Sequence, residues 1–159
     1  MARQQPIELF MPPNMLKAKV GTGTPGLDMA AIKRAETAMD GLRGGFAEWA
    51  ATDVETLTAA RAQFASDGNT VARAALLRAA HNMKGQAATY EFPTIARVAG
   101  SLSKLIGELC EKKELPTGLV DAHVNAIKVI YRDRVMDTTN KMAQALSAEL
   151  EKQVEAALK

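Results

Sequence analysis

The stretch HNMKGQAATYEF, which begins at residue 81, holds a histidine, a lysine three residues on and a glycine directly after it. An imidazole titrates near neutrality and can act as a nucleophile, so His81 is suited to accept a group and give it up again. On a helix, Lys84 at i+3 can swing its ammonium towards anything attached to the ring. Gly85 costs such a helix about 1 kcal/mol relative to alanine. A side chain at 85 would lean back over the residue one turn earlier, and glycine leaves that space empty. An accessible imidazole with a nearby cation and a clear approach suits a carrier of a phosphoryl group. Two plain readings stand beside this one. A lone histidine is commonly a surface residue, and a helical glycine can simply permit close packing of two helices.

The elements that must position this trio are helical. Of the 159 residues 47% are hydrophobic, many of them alanine, and only 4% are aromatic. Such a composition favours helices in one domain with a single core. The net charge of +2, with acids and bases interspersed, gives no case for nucleic acid. The single cysteine, Cys110, excludes a disulfide framework and reads as a plain residue of a helix in a reducing, cytoplasmic setting. No apolar run reaches the roughly 18 residues that span a bilayer, and no signal-peptide core is evident.

Residues 1–26 differ from the rest. They carry most of the prolines, end in glycines, and read as an extended arm lying on the domain, with disorder as the alternative. From residue 27 the period is helical. Ile32, Ala35, Met39, Leu42, Phe46 and Trp49 step by three and four, and the stripe resumes at Val54, Leu57, Ala60 and Phe64. Gly44 and Gly45 mark a place for a bend or break. Asn69 or Thr70 can cap a helix over 70–90. Pro93 suits the first turn of the next, over 93–112. Further stripes predict helices at 117–134 and 136–158. The expected fold is all-α: an antiparallel four-helix bundle over 27–134, with an additional C-terminal helix in 135–159 packed on it. Trp49 and Tyr90 read as core aromatics.

Helical geometry also gives the trio a direction. Taking Leu76 as the centre of the buried stripe, His81 lies about 140° around the helix, Gly85 about 180° and Lys84 about 80°. The histidine and glycine then face away from the bundle, with Leu77 and Ala88 as small or apolar neighbours. His123, near the edge of the 117–134 stripe, reads as structural or surface. Two histidines on different helices make a weak metal case, so no metal and no cofactor are expected. Strandless sequence leaves no place for a phosphate-binding loop, and no catalytic triad appears.

HNMKGQAATYEF resembles the signature of histidine-containing phosphotransfer (HPt) domains. PTIARVAGSLSKLIGEL and GFAEWAATDVETLTAA are similar to helices that follow and precede it in that family. The resemblance covers roughly residues 30–133. It implies a phosphorelay intermediate, not itself an enzyme, that takes a phosphoryl group from the aspartate of one receiver domain and passes it to another. It makes His81 the phosphoacceptor, Lys84 a stabilising cation and Gly85 the clearance residue. The receiver would supply the metal and most of the charge stabilisation. Leu77 and Ala88 would belong to the docking patch. Gln86 stands where many members have serine, Glu91 where a glycine is frequent, and Ser103 where a glutamine often supports the imidazole. Arg97 and Lys104 are candidates for neutralising phosphate, against solvated charge as the plain reading. The expected partners are response-regulator receivers or a hybrid histidine kinase, with the chain a monomer. The alternatives are an adaptor that binds receivers without chemistry and a dimeric helical fragment of a kinase.

Overall fold

The structure, a computed structural model, describes residues 28–109 and 114–159. The expected arm at 1–26 and Cys110 lie outside the described residues. Five helices and no strand are found among those described: α1 (Met29–Asp67), α2 (Thr70–Gln86), α3 (Pro93–Glu108), α4 (Thr117–Arg132) and α5 (Lys141–Ala157). The chain divides between Met39 and Asp40 into two compact units, and the second carries every residue of the site. No described helix is long and apolar enough to cross a membrane.

Local chemistry explains most of the boundaries. The Asn69 side chain accepts a hydrogen bond from the Ala72 amide at 2.8 Å, and Asn140 does the same for Ala143 at 3.1 Å, so each starts a helix by pairing an orphan donor. Pro93 opens α3, where its missing N–H is not needed. Arg73 donates to the carbonyls of Ile106 and Leu109 and so satisfies the end of α3. Helix α2 stops four residues short of the expected Tyr90. The Phe92 amide reaches back to the Ala87 carbonyl and the Glu91 amide to Ala88, a Schellman closure with Glu91 at φ 67°. In the second unit, α3 is the hub and packs against α2, α4 and α5, while α4 also packs on α5.

Helix α1 departs from expectation in two ways. It runs unbroken through Gly44 and Gly45. A Cβ at Gly45 would lie 3.1 Å from the Trp49 ring, so this glycine makes room for an indole leaning back one turn. The apolar stripe is also not buried throughout. Met39, Leu42 and Trp49 are 65%, 57% and 44% exposed, and burial on this face begins with Ala50 and Leu57. Trp49 is therefore not a core residue. It meets Phe46 and Tyr90 in a half-open aromatic cluster with ring centroids 5.8–6.0 Å apart. Farther along, Arg61 pairs with Asp121 through two hydrogen bonds, and the Tyr131 hydroxyl donates to the Ala47 carbonyl, tying α1 to α4.

His123 sits in the core, fully buried. Its Nδ1 is 2.7 Å from the Leu119 carbonyl, which can only accept, so Nδ1 carries the proton. Its Nε2 then accepts from the Ser101 hydroxyl at 3.1 Å, across α3 and α4. Both ring nitrogens are thus occupied. Burial pushes this imidazole below the ordinary histidine value of 6.5, against the smaller opposing effect of the Leu119 bond.

Two predictions follow from these local features. A histidine kept neutral by folding binds fewer protons than in the unfolded chain. Its stabilising contribution is complete above pH 6.5 and falls as pH drops below that value towards the lowered folded one. Thermal unfolding between pH 7 and 5 should show this loss. His123→Gln should remove that pH dependence and cost on the order of 1–3 kcal/mol through broken buried hydrogen bonds. Glu91 adopts a left-handed conformation that costs a side-chain-bearing residue about 1 kcal/mol or more. Its exposed pair with Arg43, at 3.4 Å, offsets little of that. Glu91→Gly should raise the unfolding free energy by about 1 kcal/mol in denaturant titration.

Candidate functional site

Helix α2 buries Ala72, Leu76, Ala79, Ala80 and Met83. That leaves His81, Lys84, Gly85, Gln86 and Ala88 exposed and Leu77 half-buried. The His81 ring makes no hydrogen bond, ion pair or ring contact with any described residue. The two histidines of the chain thus occupy opposite environments: one has both nitrogens engaged, the other has both open to solvent.

Gly85 is informative by elimination. A glycine is required where φ is positive or where another group approaches the Cα closely. Gly85 is helical, and a Cβ built there would meet nothing within 4 Å. Neither backbone conformation nor packing within the described residues calls for glycine at this position. Gly100 and Gly107 of α3 behave differently. A Cβ at Gly100 would lie 3.5 Å from Lys84 Cδ, and one at Gly107 would lie 3.8 Å from Leu77 Cδ1. Both are ordinary van der Waals distances, so they place Lys84 and Leu77 of α2 against α3 without requiring glycine there.

The two contacts also set the register. Lys84 lies over Gly100 and Leu77 over Gly107, so seven residues forward on α2 match seven residues back on α3. The helices are antiparallel, and His81 stands level with Ser103, flanked by Lys104. Ser103 is half-buried at that level and Lys104 exposed. The lysine stem crosses α3 beside a groove of about 340 Å³ lined by Lys84, Arg97, Gly100, Lys104, Glu151 and Glu155, among others. Neither Lys84 nor Lys104 has an ion-pair partner among the described residues.

The remaining sequence candidates are engaged elsewhere. Arg97 is held by Glu151 of α5 through two hydrogen bonds of 2.6 and 2.5 Å. Those bonds keep the Glu151 carboxyl below the usual carboxylate range. Gln86 accepts a hydrogen bond from the Tyr90 hydroxyl at 3.1 Å, which links the end of α2 to the aromatic cluster. Ala88 contributes its carbonyl to the closure at Glu91.

Sequence reasoning did not single out Gly100 or Glu151. An unexplained glycine within an apolar helix was a signal for the first. Nothing in the pattern of α5 tied Glu151 to Arg97, because the two are 54 residues apart. Among the described residues no cluster of three His, Cys, Asp or Glu could hold a metal.

Because nothing packs on Gly85, Gly85→Ala should raise helix and protein stability by about 0.5–1 kcal/mol. Calorimetry checks this, and a lowered melting temperature would reveal a structural demand for glycine.

No curated protein and no solved structure matches the chain. A family match is found, however, and its description is Hpt domain, over residues 41–129. It covers more than half of the 159 residues and spans most of α1 and nearly all of α4, with α2 and α3 whole between them. Hpt domains are phosphotransfer carriers rather than catalysts, and they interact with receiver domains and histidine kinases. An outward histidine on an all-helical bundle, within a matched segment of this extent, makes the chain a member of the Hpt domain family, with the histidine phosphotransfer role that membership implies.

Proposed function

We propose that His81 is the phosphoacceptor of a phosphorelay, taking a phosphoryl group from a receiver aspartate and passing it to a second receiver. The observation that carries this reading is the exposed, unpartnered His81 ring beside a glycine that neither packing nor backbone geometry requires. His123 is a poor rival, because both its nitrogens are engaged in the core.

In the step itself, an unprotonated ring nitrogen of His81 attacks the phosphorus of an aspartyl phosphate. The N–P bond forms as the P–O bond breaks, and the electron pair leaves with the aspartate carboxylate. The other ring nitrogen keeps its proton. Nothing in this step asks the chain for a metal or a base of its own. The chain supplies a nucleophile, a clear path over Gly85, and the Lys84 ammonium close enough to swing towards the phosphoryl oxygens. Half-buried Leu77, one turn before the histidine, and exposed Ala88, seven residues after it, offer apolar surface on this part of the chain, in keeping with a small, transient interface. Ser103, level with His81, takes the place from which a side chain of α3 can meet the imidazole. Lys104 adds positive charge beside it.

Incubation with receiver domains bearing aspartyl phosphate should place acid-labile phosphate on the wild-type chain and none on His81→Gln. Label persisting on that variant would remove His81 from the role. Gly85→Gln should stay folded yet slow transfer about tenfold or more, since a small misplacement of reacting groups has large kinetic effects. An unchanged rate would leave Gly85 without a part in transfer.

A further inference from the structure

Helix α5 lies beyond the matched residues, yet it packs on both α3 and α4. It runs parallel to α3. Thr94 and Ser147 share one groove, and Arg97 pairs with Glu151 one turn on. A further turn brings Glu155 level with Gly100 and Ser101, in the groove of about 340 Å³ that the Lys84 stem borders. The two carboxylates of that groove differ. Glu151 is committed to Arg97 by two hydrogen bonds, whereas Glu155 makes no hydrogen bond or ion pair with any described residue. Lys84 likewise has no partner, as is true of Lys104 on the same groove, but it is the Lys84 stem that lies against Gly100, at the level Glu155 reaches.

A free carboxylate and a free ammonium bordering one groove attract each other, and at physiological salt screening weakens that attraction only over about 8 Å. We propose that Glu155 is a positioning residue for Lys84. Its carboxylate biases the ammonium towards the α3–α5 groove in the unphosphorylated protein and yields it when a phosphoryl group arrives at His81. The phosphoryl group prevails because it carries up to two negative charges and three strong acceptor oxygens against one carboxylate. In this way α5 sets how readily the cation engages the incoming anion. The inference rests on the role given to His81 above, and it adds a residue from outside the matched segment to the control of that site.

Two measurements test it. The first needs no phosphoryl transfer. In lysine-resolved NMR of the unphosphorylated chain, Glu155→Gln should move the Lys84 side-chain resonances and leave those of Lys33 and Lys128 in place. Unmoved Lys84 resonances overturn the proposal even if His81 proves to be the acceptor.

The second uses phosphoramidate as a small anionic donor, whose N–P bond breaks as that to His81 forms, releasing ammonia. Labelling of Glu155→Gln should be about two- to fivefold faster than wild type, the range open to an exposed charge pair. The difference should vanish near 1 M salt, where screening acts within about 3 Å. It should also vanish in a Lys84→Met background. An acceleration that survives in that background, or an absence of acceleration, overturns the proposal. Failure of the wild type to take label at His81 overturns the phosphoacceptor reading itself, and this inference with it.

Discussion

The direction of His81 depends on the burial of one stripe of α2. Leu76, Ala80, Met83 and Ala87 face the interior and are between 0% and 4% exposed. Burying Leu76 and Met83 alone is worth about 1.5–3 kcal/mol each, so rotating α2 by a quarter turn would forfeit several kcal/mol. The glycine at 85 weakens the same helix by only about 1 kcal/mol. The packing term wins easily. The helix can therefore carry an exposed weak point without changing its orientation, and the imidazole stays on the open side.

Helix α3 turns that orientation into a site. On one side Lys84 lies against Gly100 and Leu77 against Gly107, contacts that define the antiparallel register of the two helices. On another side its Ser101 hydroxyl engages His123. Two residues of one chemical type are thus driven apart in behaviour by their surroundings. His123 is held neutral by burial and has become part of the core, while His81 keeps both nitrogens available.

The charges around the site are divided in a similar way. Arg97 and Lys104 both belong to α3, but Arg97 is engaged by Glu151 and Lys104 is not. An arginine held by a carboxylate through two hydrogen bonds is poorly placed to meet a transient phosphate, because that contact would first have to break the pair. Lys84 and Lys104 remain the cations without an ion-pair partner among the described residues. At the other end of α2, the Schellman closure at Glu91 and the Gln86–Tyr90 hydrogen bond tie the helix terminus to the aromatic cluster on α1. The segment bearing His81 is thereby anchored at its exit as well as along its buried face.

Periodicity and punctuation sufficed for the helical order, for a cap at 69 or 70 that Asn69 supplies, for Pro93 in a first turn, and for the outward angle of His81 and Gly85. These are local properties, set by hydrogen bonding within a few residues and by the 3.6-residue turn. The same patterns misplaced Trp49, Met39 and Leu42. An apolar stripe states which face of a helix would be buried, not whether a neighbour is there to bury it. They also left His123 at the edge of a stripe, though it is fully buried and bonded to Ser101, 22 residues away. The place of Lys84 over Gly100, the capture of Arg97 by Glu151 and the groove beside them were decided by tertiary structure alone. Each depends on which helices become neighbours and in what register, and that is a property of the whole packed bundle rather than of any one segment.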